Sequence, residues 1–340
     1  VYYSLDGSLP SPSNESSWIY EEPISTLNLP HNQDYLIPTT YQEGDKTKFH
    51  WNQPTMPSTG VSIRVASYSN DSLVGEAVSN YVFGMFPPDS SITKVMINVD
   101  RNRFFGETNG MYVVGNSTTE NYLQRSDEWQ SECNIQIIEG DRTVTSNMQC
   151  ELRIFGLISR QNPQKSLKLT AKKQYGAKRF DGAIIDENFP QKKLLLRSEY
   201  SSWHGGIFKD YLSTQICTNL DLDLAATKPV LVYINGHYWG IHFLTQKLDH
   251  FHLADKYGYK KSDLDVVHTY KNADHGNSAG FDTLIDFLKV SDLSIQENFE
   301  FVASKVDLNN YIDWVIAETF LQNWDWPCNN TRIWKYTNHG

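Results

Sequence analysis

Asp325 and Asn330 stand five residues apart in a polar loop near the end of the sequence. A carboxylate can take the proton of an attacking hydroxyl, and an amide oxygen can help to hold a hard cation. Enzymes that move the terminal phosphoryl group of ATP use the two residue types at that offset, the Asp at the acceptor hydroxyl and the Asn at the metal. Spacing alone carries little, because both types also cap helices and form turns. A second group lies upstream. Gly156 and Ser159 fall in a short polar loop, and Lys165 and Lys168 begin the apolar-alternating run after it. Small residues let backbone N–H groups approach an anion, and a lysine on the return strand adds a point charge. The loop has Gly156 in place of a full G-x-G-x-x-G series, so it equally suits an exposed edge hairpin with solvated lysines.

The surrounding pattern says which elements would hold these groups. Tyr311, Ile312, Val315, Ile316, Phe320 and Leu321 recur at helical spacing, with Asp307 at the expected N-cap. Pro327 bars the helix from continuing, and Thr331 to Tyr336 alternates like a strand. Asp325 is therefore expected on a helix-to-strand loop. Upstream, Glu151 to Phe155 reads as a strand that returns after the polar loop. Alternation sends Leu167 and Leu169 to one face and Ser166 and Lys168 to the other, with Lys165 on the leucine side. Ile207, Phe208, Tyr211, Leu212, Gln215 and Ile216 have helical period. Pro229 to Ile234 and Tyr238 to Thr245 flank Asn235-Gly236, the strongest short signal for a hairpin. Gln246-Lys-Leu-Asp is expected to open a helical segment through Gly258. The order (strand, loop, lysine strand, helix, hairpin, connector, helices, Asp–Asn loop) is that of a protein kinase. Gln246 to Leu248 would then be the hinge, where backbone groups read adenine.

Length and composition bound the rest. A chain of 340 residues exceeds one typical core, so two or three domains are expected. With 30 basic against 40 acidic side chains, the chain is not a general binder of nucleic acid or anionic membranes. The wealth of Tyr, Phe and Trp suits secreted or carbohydrate-handling β proteins, and equally any well-packed sheet. Cys133, Cys150, Cys217 and Cys328 show no CxxC spacing, which speaks against zinc. Cys133 and Cys150 could be bridged across a hairpin in an oxidising compartment or stay separate buried thiols. No apolar run reaches the length of a membrane span. The histidines, among them His204, His237, His242, His250, His252, His268 and His275, match no HExxH pattern and read as surface residues; no GxSxG elbow occurs. The chain opens without Met inside an apparent strand, so the natural N-terminus is expected to be missing, and the end at Gly340 is expected to be a cut.

Residues 1–85 read as short strands separated by turn clusters, among them Pro10-Ser-Pro-Ser-Asn, Pro57-Ser-Thr-Gly and Ser69-Asn-Asp-Ser. Phe86-Pro-Pro-Asp marks a boundary. Beyond it, Ile92 to Val99, Cys133 to Ile138 and Asn147 to Ile154 alternate as strands, with hairpin-type turns at Asn109-Gly110 and Glu139-Gly-Asp.

Two resemblances add to this. Val1-Tyr-Tyr-Ser-Leu-Asp-Gly-Ser-Leu-Pro, Ile63-Arg-Val-Ala-Ser-Tyr and Ser79-Asn-Tyr-Val-Phe resemble the small β-sandwich at the C-terminus of chitobiases and hexosaminidases, which implies an appended, non-catalytic module that would meet carbohydrate or surface protein. From about residue 92 to 340 the chain resembles the CotH-type atypical kinases, a family named for a spore-coat protein. The carriers are Arg153-Ile-Phe-Gly, Pro163-Gln-Lys-Ser-Leu-Lys-Leu, Phe208-Lys-Asp-Tyr-Leu, Val232-Tyr-Ile-Asn-Gly-His-Tyr-Trp-Gly-Ile, Thr245-Gln-Lys-Leu-Asp and Asn323-Trp-Asp-Trp-Pro-Cys-Asn-Asn-Thr-Arg-Ile-Trp-Lys. The resemblances together imply an α+β chain: an N-terminal all-β sandwich over 1–85, then a bilobal protein-kinase-like domain over 86–340, truncated at its C-terminal end. Within it, 86–150 is a leading β region, 151–248 is N-lobe-like and 249–340 is a partial C-lobe.

The kinase resemblance implies transfer of the ATP γ-phosphoryl group to Ser or Thr of a surface or coat protein, with Mg or Mn, by a bacterial protein found extracellularly, at the cell surface or in the periplasm. By position, Asp325 resembles the catalytic and metal-binding Asp, and Asn330 the metal-binding Asn. Lys165 or Lys168, preferentially Lys168, resembles the phosphate-gripping lysine. Gly156, Ser159, Gln246 and Leu248 complete the expected nucleotide site. Gln246 stands where the family usually has Glu, and Lys209-Asp210 where Arg-Asp is common. A second metal-binding acid is expected on a strand beyond Gly340. The alternative is an inactive relative that keeps the fold as a surface module binding carbohydrate or protein.

Overall fold

A computed structural model describes residues 1–25, 37–41, 48–51, 59–83, 91–180, 184–185, 190–200, 206–268, 272–327 and 330–337. The Phe86-Pro-Pro-Asp boundary, His204 and Cys328 lie outside them. The chain divides into two compact units, one of residues 1–208 and 226–246, the other of residues 209–225 and 247–340.

The first unit begins with β1 (Tyr2–Ser4), β2 (Trp18–Ile19), β3 (Ile37–Tyr41), β4 (Lys48–Trp51), β5 (Thr59–Ser69) and β6 (Ser72–Phe83). They form a four-stranded sheet in the order β2-β1-β5-β6 and a separate β3-β4 pair. Asn70 and Asp71 both take positive φ, 49° and 60°, which makes the β5–β6 connection the tight hairpin its sequence announces. Two hydrogen bonds tie β5 to residues much later in the same unit. Gly60 N donates to Gly236 O at 2.9 Å, and Asn98 Nδ2 to Ser62 Oγ at 2.7 Å.

Next come β7 (Thr93–Val99), α1 (Arg101–Phe105), β8 (Ser131–Ile138), β9 (Val144–Ile154), β10 (Leu167–Thr170) and β11 (Lys193–Arg197). After an excursion into the other unit, which holds α2 (Lys209–Ile216), the chain returns as β12 (Thr227–Ile234) and β13 (His237–Gln246). Seven of these strands close a barrel in the order β10-β11-β13-β12-β7-β8-β9, in which the β12–β7 pairing is parallel and the others antiparallel. The region expected as a leading β segment thus supplies three barrel strands. A closed barrel stands where an N-lobe-like sheet is expected.

The period-two pattern explains the barrel's filling. In β8, Ser131, Cys133, Ile135 and Ile137 are buried and the residues between them are more open. Val95, Ile97, Val99, Leu152, Ile154, Leu167, Leu169, Leu194, Leu196, Val230, Val232 and Leu244 join one core. Every residue of β7 is buried, because its outer face is covered too: Met96 clusters with Leu231 and Tyr233. Each fully buried aliphatic side chain contributes about 1.5–3 kcal/mol. Asn235 (φ 49°) and Gly236 (φ 86°) make the expected hairpin turn, and the Asn235 amide also ties the turn to Val99 N, Val99 O and Asp6 O at 2.8–2.9 Å. Glu139-Gly-Asp lies in the β8–β9 connection as read. Asn109-Gly110 does not join paired strands. It comes after α1, where Gly110 N bonds Gly106 O and the Asn121 amide bonds Gly110 O, so side-chain anchoring replaces a hairpin.

The second unit contains α2, α3 (His250–Tyr257), β14 (Leu264–His268), β15 (Asn272–His275), α4 (Ala279–Val290), α5 (Gln296–Ala303), α6 (Leu308–Phe320) and β16 (Arg332–Tyr336). Its sheet has the order β15-β14-β16. Leu253, Ala254, Leu264 and Val266 form its small core, with Tyr259 and Trp334 against them. Asp223 accepts from Lys256 Nζ at 2.6 Å, Tyr257 Oη at 2.8 Å and Trp334 Nε1 at 2.7 Å. Burial alone would raise this carboxyl, but the three donors and the Lys256 charge outweigh it and hold the pKa below the ordinary carboxylate value.

Asp307 caps α6 as expected, its side chain accepting from Asn310 N at 3.1 Å. The helix stops before Pro327 is reached. Gln322 adopts φ 52°, and the bonds Asn323 N to Glu318 O and Gln322 N to Thr319 O close a Schellman motif. A left-handed backbone strains a residue with a Cβ. Gln322→Gly is therefore expected to stabilise the chain by about 0.5–1 kcal/mol, after allowing for the looser unfolded chain. A lower urea midpoint would contradict this. The apolar stripe of α6 forms, but Tyr311, Ile312, Ile316 and Phe320 are 50–72% exposed. Helical period is satisfied without burial there.

Candidate functional site

The loop after α6 is built on local polar bonds. Asn323 bridges backwards and forwards: its Nδ2 donates to Glu318 Oε2 at 2.7 Å, and its Oδ1 accepts from Asp325 N at 3.1 Å. Asn330 takes φ 58°, a conformation that asparagine tolerates well. Its Nδ2 donates to Asp325 Oδ2 at 2.9 Å. The structure therefore brings together the carboxylate and amide picked out by spacing, both exposed. Trp326, between them in sequence, packs edge-on against Trp314 of α6 with ring centroids 5.7 Å apart. β16 then leads away and pairs with β14.

The hairpin group lies in the other unit. Gly156 sits at φ 110°, and a Cβ there would collide with Ser159 Oγ. The turn thus requires glycine and cradles the Ser159 hydroxyl. A short 3₁₀ helix (Ile158–Gln161) comes next. What holds this hairpin is a residue that sequence reading passed over. Arg160 is 8% exposed, and its guanidinium donates to Gly156 O (2.9 Å), Tyr122 O (2.9 Å), Gln124 O (2.9 Å) and Ile154 O (2.6 Å). Burial, then the charges of Arg125 and Arg153, bring it down to about 10. A lone arginine in a polar loop gives no signal that carbonyls will converge on it.

The two lysines part company as alternation requires. Lys168 is half-buried on the outer barrel face, in register with Arg153 of β9 and Leu195 of β11. Lys165 is fully buried. Its Nζ donates to Asn162 O at 2.8 Å and lies 4.1 Å from the Tyr122 ring centroid. Burial, then the nearby Arg160 charge, lowers this ammonium well below its ordinary pKa. Its backbone N donates to Tyr112 Oη at 2.7 Å, which also accepts from Trp239 Nε1 at 3.0 Å, while Gln164 Nε2 donates to Trp239 O at 2.7 Å.

His242 and His252 are buried, not at the surface, because each falls on the inward side of its element. Burial holds His242 down to about 4, against the opposing pull of the Lys165 and Gly240 backbone. Below pH 6.5 the unfolded chain binds this proton and the folded chain does not, so folding stability falls with pH. The loss runs from about pH 6.5 down to 4 and amounts to about 3 kcal/mol. Urea midpoints measured across that window should drop for the native chain and drop less for His242→Leu. Equal slopes would exclude His242 as the source.

The hinge residues divide. Gln246 is the last residue of β13 rather than the start of a helix. It is 2% exposed, its N and Oε1 bonding Ala226 O (3.0 Å) and Ala226 N (2.9 Å). The helix begins only at His250, capped by Asp249, because the β13 pairing with β11 and β12 extends through Thr245 and Gln246. Leu248 lies in the short connection and belongs to the second unit.

Among the described residues no group of three or more His, Cys, Asp or Glu side chains is placed to hold a metal ion. Asp325 and Asn330 offer one carboxylate and one amide, a set that suits magnesium, which keeps most of its positions for water and phosphate oxygens. No helix among the described residues is long and apolar enough to cross a membrane.

In comparison with known families, residues 152–340 match the family described as CotH kinase protein. That span begins within β9 and takes in both the Gly156 hairpin and the Asp325–Asn330 loop. The match does not reach residues 1–151, and nothing found supports a chitobiase-like module there. A search of curated proteins finds no match.

Proposed function

The chain belongs to the CotH kinase family, and from that premise we propose that it transfers the γ-phosphoryl group of ATP to a Ser or Thr hydroxyl of another protein. ATP follows from membership of a kinase family. The observation that carries the residue assignment is the 2.9 Å contact of Asn330 Nδ2 with Asp325 Oδ2 on an exposed loop inside the matched span. In this reading Asp325 orients the acceptor hydroxyl and takes its proton. Asp325 and Asn330 are the residues that would hold a divalent ion, Mg or Mn, which when bound neutralises charge on the phosphates. Gly156 and Ser159 leave backbone and hydroxyl donors for the nucleotide. Of the two lysines we assign the phosphate contact to Lys168, which lies half-buried on the outer barrel face, whereas Lys165 is fully buried. The acceptor we place among surface or coat proteins outside the cytoplasm, a reading supported by the family resemblance.

The test is nucleotide binding. With Mg-ATP at about a hundred times its dissociation constant, the stabilisation is about 2.7 kcal/mol, or a rise in Tm of about 5–10 °C. The rise should need the metal and shrink in Lys168→Ala. No shift at millimolar Mg-ATP would sink the kinase reading and leave a CotH-family module that binds carbohydrate or protein without chemistry.

A further inference from the structure

Cys133 of β8 and Cys150 of β9 are cross-strand register partners, with Sγ atoms 3.5 Å apart. Both face the barrel interior, 3% and 0% exposed, in the same core as Ile135, Met148 and Leu152. Directly opposed residues of an antiparallel pair have Cα atoms about 4.5–5.5 Å apart, within the span a disulfide bridges. The sulfurs need only close from contact to bond length, with no change of register.

We propose that Cys133 and Cys150 are the site of a structural disulfide that staples β8 to β9, made by exchange with a disulfide donor before the barrel closes. The order of events follows from chemistry. The thiolate is the attacking species, and in the closed barrel burial raises the Cys150 thiol well above its ordinary range, with the Cys133 contact adding to it. Exchange is therefore suppressed once the pair is enclosed. The β8–β9 hairpin is local in sequence, whereas its neighbours β7 and β10 come from outside it, so the thiols can meet first. One cysteine thiolate attacks the donor R–S–S–R, giving a mixed disulfide and releasing one RSH. The second thiolate attacks the protein-side sulfur and releases the second RSH. The protein pair loses two electrons and two protons; the donor gains both.

The experiment refolds the full chain from denaturant, once in a glutathione redox buffer and once in excess reductant. Thiols are then alkylated in denaturant and peptides mapped by mass. The expected result in the redox buffer is one linked species joining the Cys133 and Cys150 peptides, two hydrogens lighter, with Cys217 and Cys328 alkylated. The oxidised chain should melt about 5–10 °C above the reduced one. Alkylation of both Cys133 and Cys150 after oxidative refolding would overturn the proposal. So would a linkage of either to Cys217 or Cys328.

Discussion

Asp325→Asn is expected to lower phosphoryl transfer by a factor of about 10²–10⁴, the range a positioned general base contributes. The substitution keeps the shape of the side chain and removes its charge and its basicity. Stability should barely move, within about 0.5 kcal/mol, because Asp325 is exposed and the replacement amide can still accept from Asn330 Nδ2. The measurement is label transfer from γ-labelled ATP to a protein acceptor, alongside urea unfolding of both chains. Wild-type transfer by Asp325→Asn would remove the residue from the chemistry. A loss of transfer accompanied by an equal loss of stability would make its role structural. Asn330→Ala offers a second reading of the same loop, since it should raise the concentration of divalent ion needed for activity and leave saturated turnover less affected.

Arg160→Met is expected to destabilise the chain by about 3–5 kcal/mol. The four carbonyls it serves belong to Tyr122, Gln124, Ile154 and Gly156, so one side chain joins the segment before β8 to the end of β9 and to the hairpin turn. Methionine matches the stem and leaves those oxygens without a guanidinium donor. Arg160→Lys keeps the charge but not the planar fork, and should recover less than half of the loss. Urea unfolding gives the magnitude. A loss under about 1 kcal/mol for Arg160→Met would show that water satisfies these carbonyls and that the clamp adds little. Nucleotide binding should weaken along with stability, because the clamp sets the turn at Gly156.

Much of the local structure was legible. Asp307 as a cap, Asn235-Gly236 as a hairpin turn and the strand after Asn330 all rest on rules that act within a few residues. The five-residue offset of Asp325 and Asn330 is likewise local, and the structure adds the hydrogen bond that joins the two side chains. Alternation also told the inward Lys165 from the outward Lys168.

Where the reading departed from the structure, the deciding partner was distant. Gln246 looked like the first turn of a helix, but pairing with β11 and the Ala226 backbone keeps it in β13. His242 looked like a surface residue on a hairpin, and becomes a buried neutral ring only because the barrel closes over that face. Arg160 carried no pattern at all until four carbonyls from two stretches of chain, 122–124 and 154–156, met around it.

The local elements, the faces of the strands and the offset of a carboxylate from an amide on one loop are all legible in the order of residues. These depend on backbone preferences and side-chain period, which act over a few residues. That β12 pairs parallel with β7, Val230 beside Thr93, and so closes seven strands into a barrel emerges only in the folded chain. That closure settles which polar groups leave water, and with them the states of Lys165 and His242. Desolvation is a property of the whole enclosure, and no window of sequence contains it.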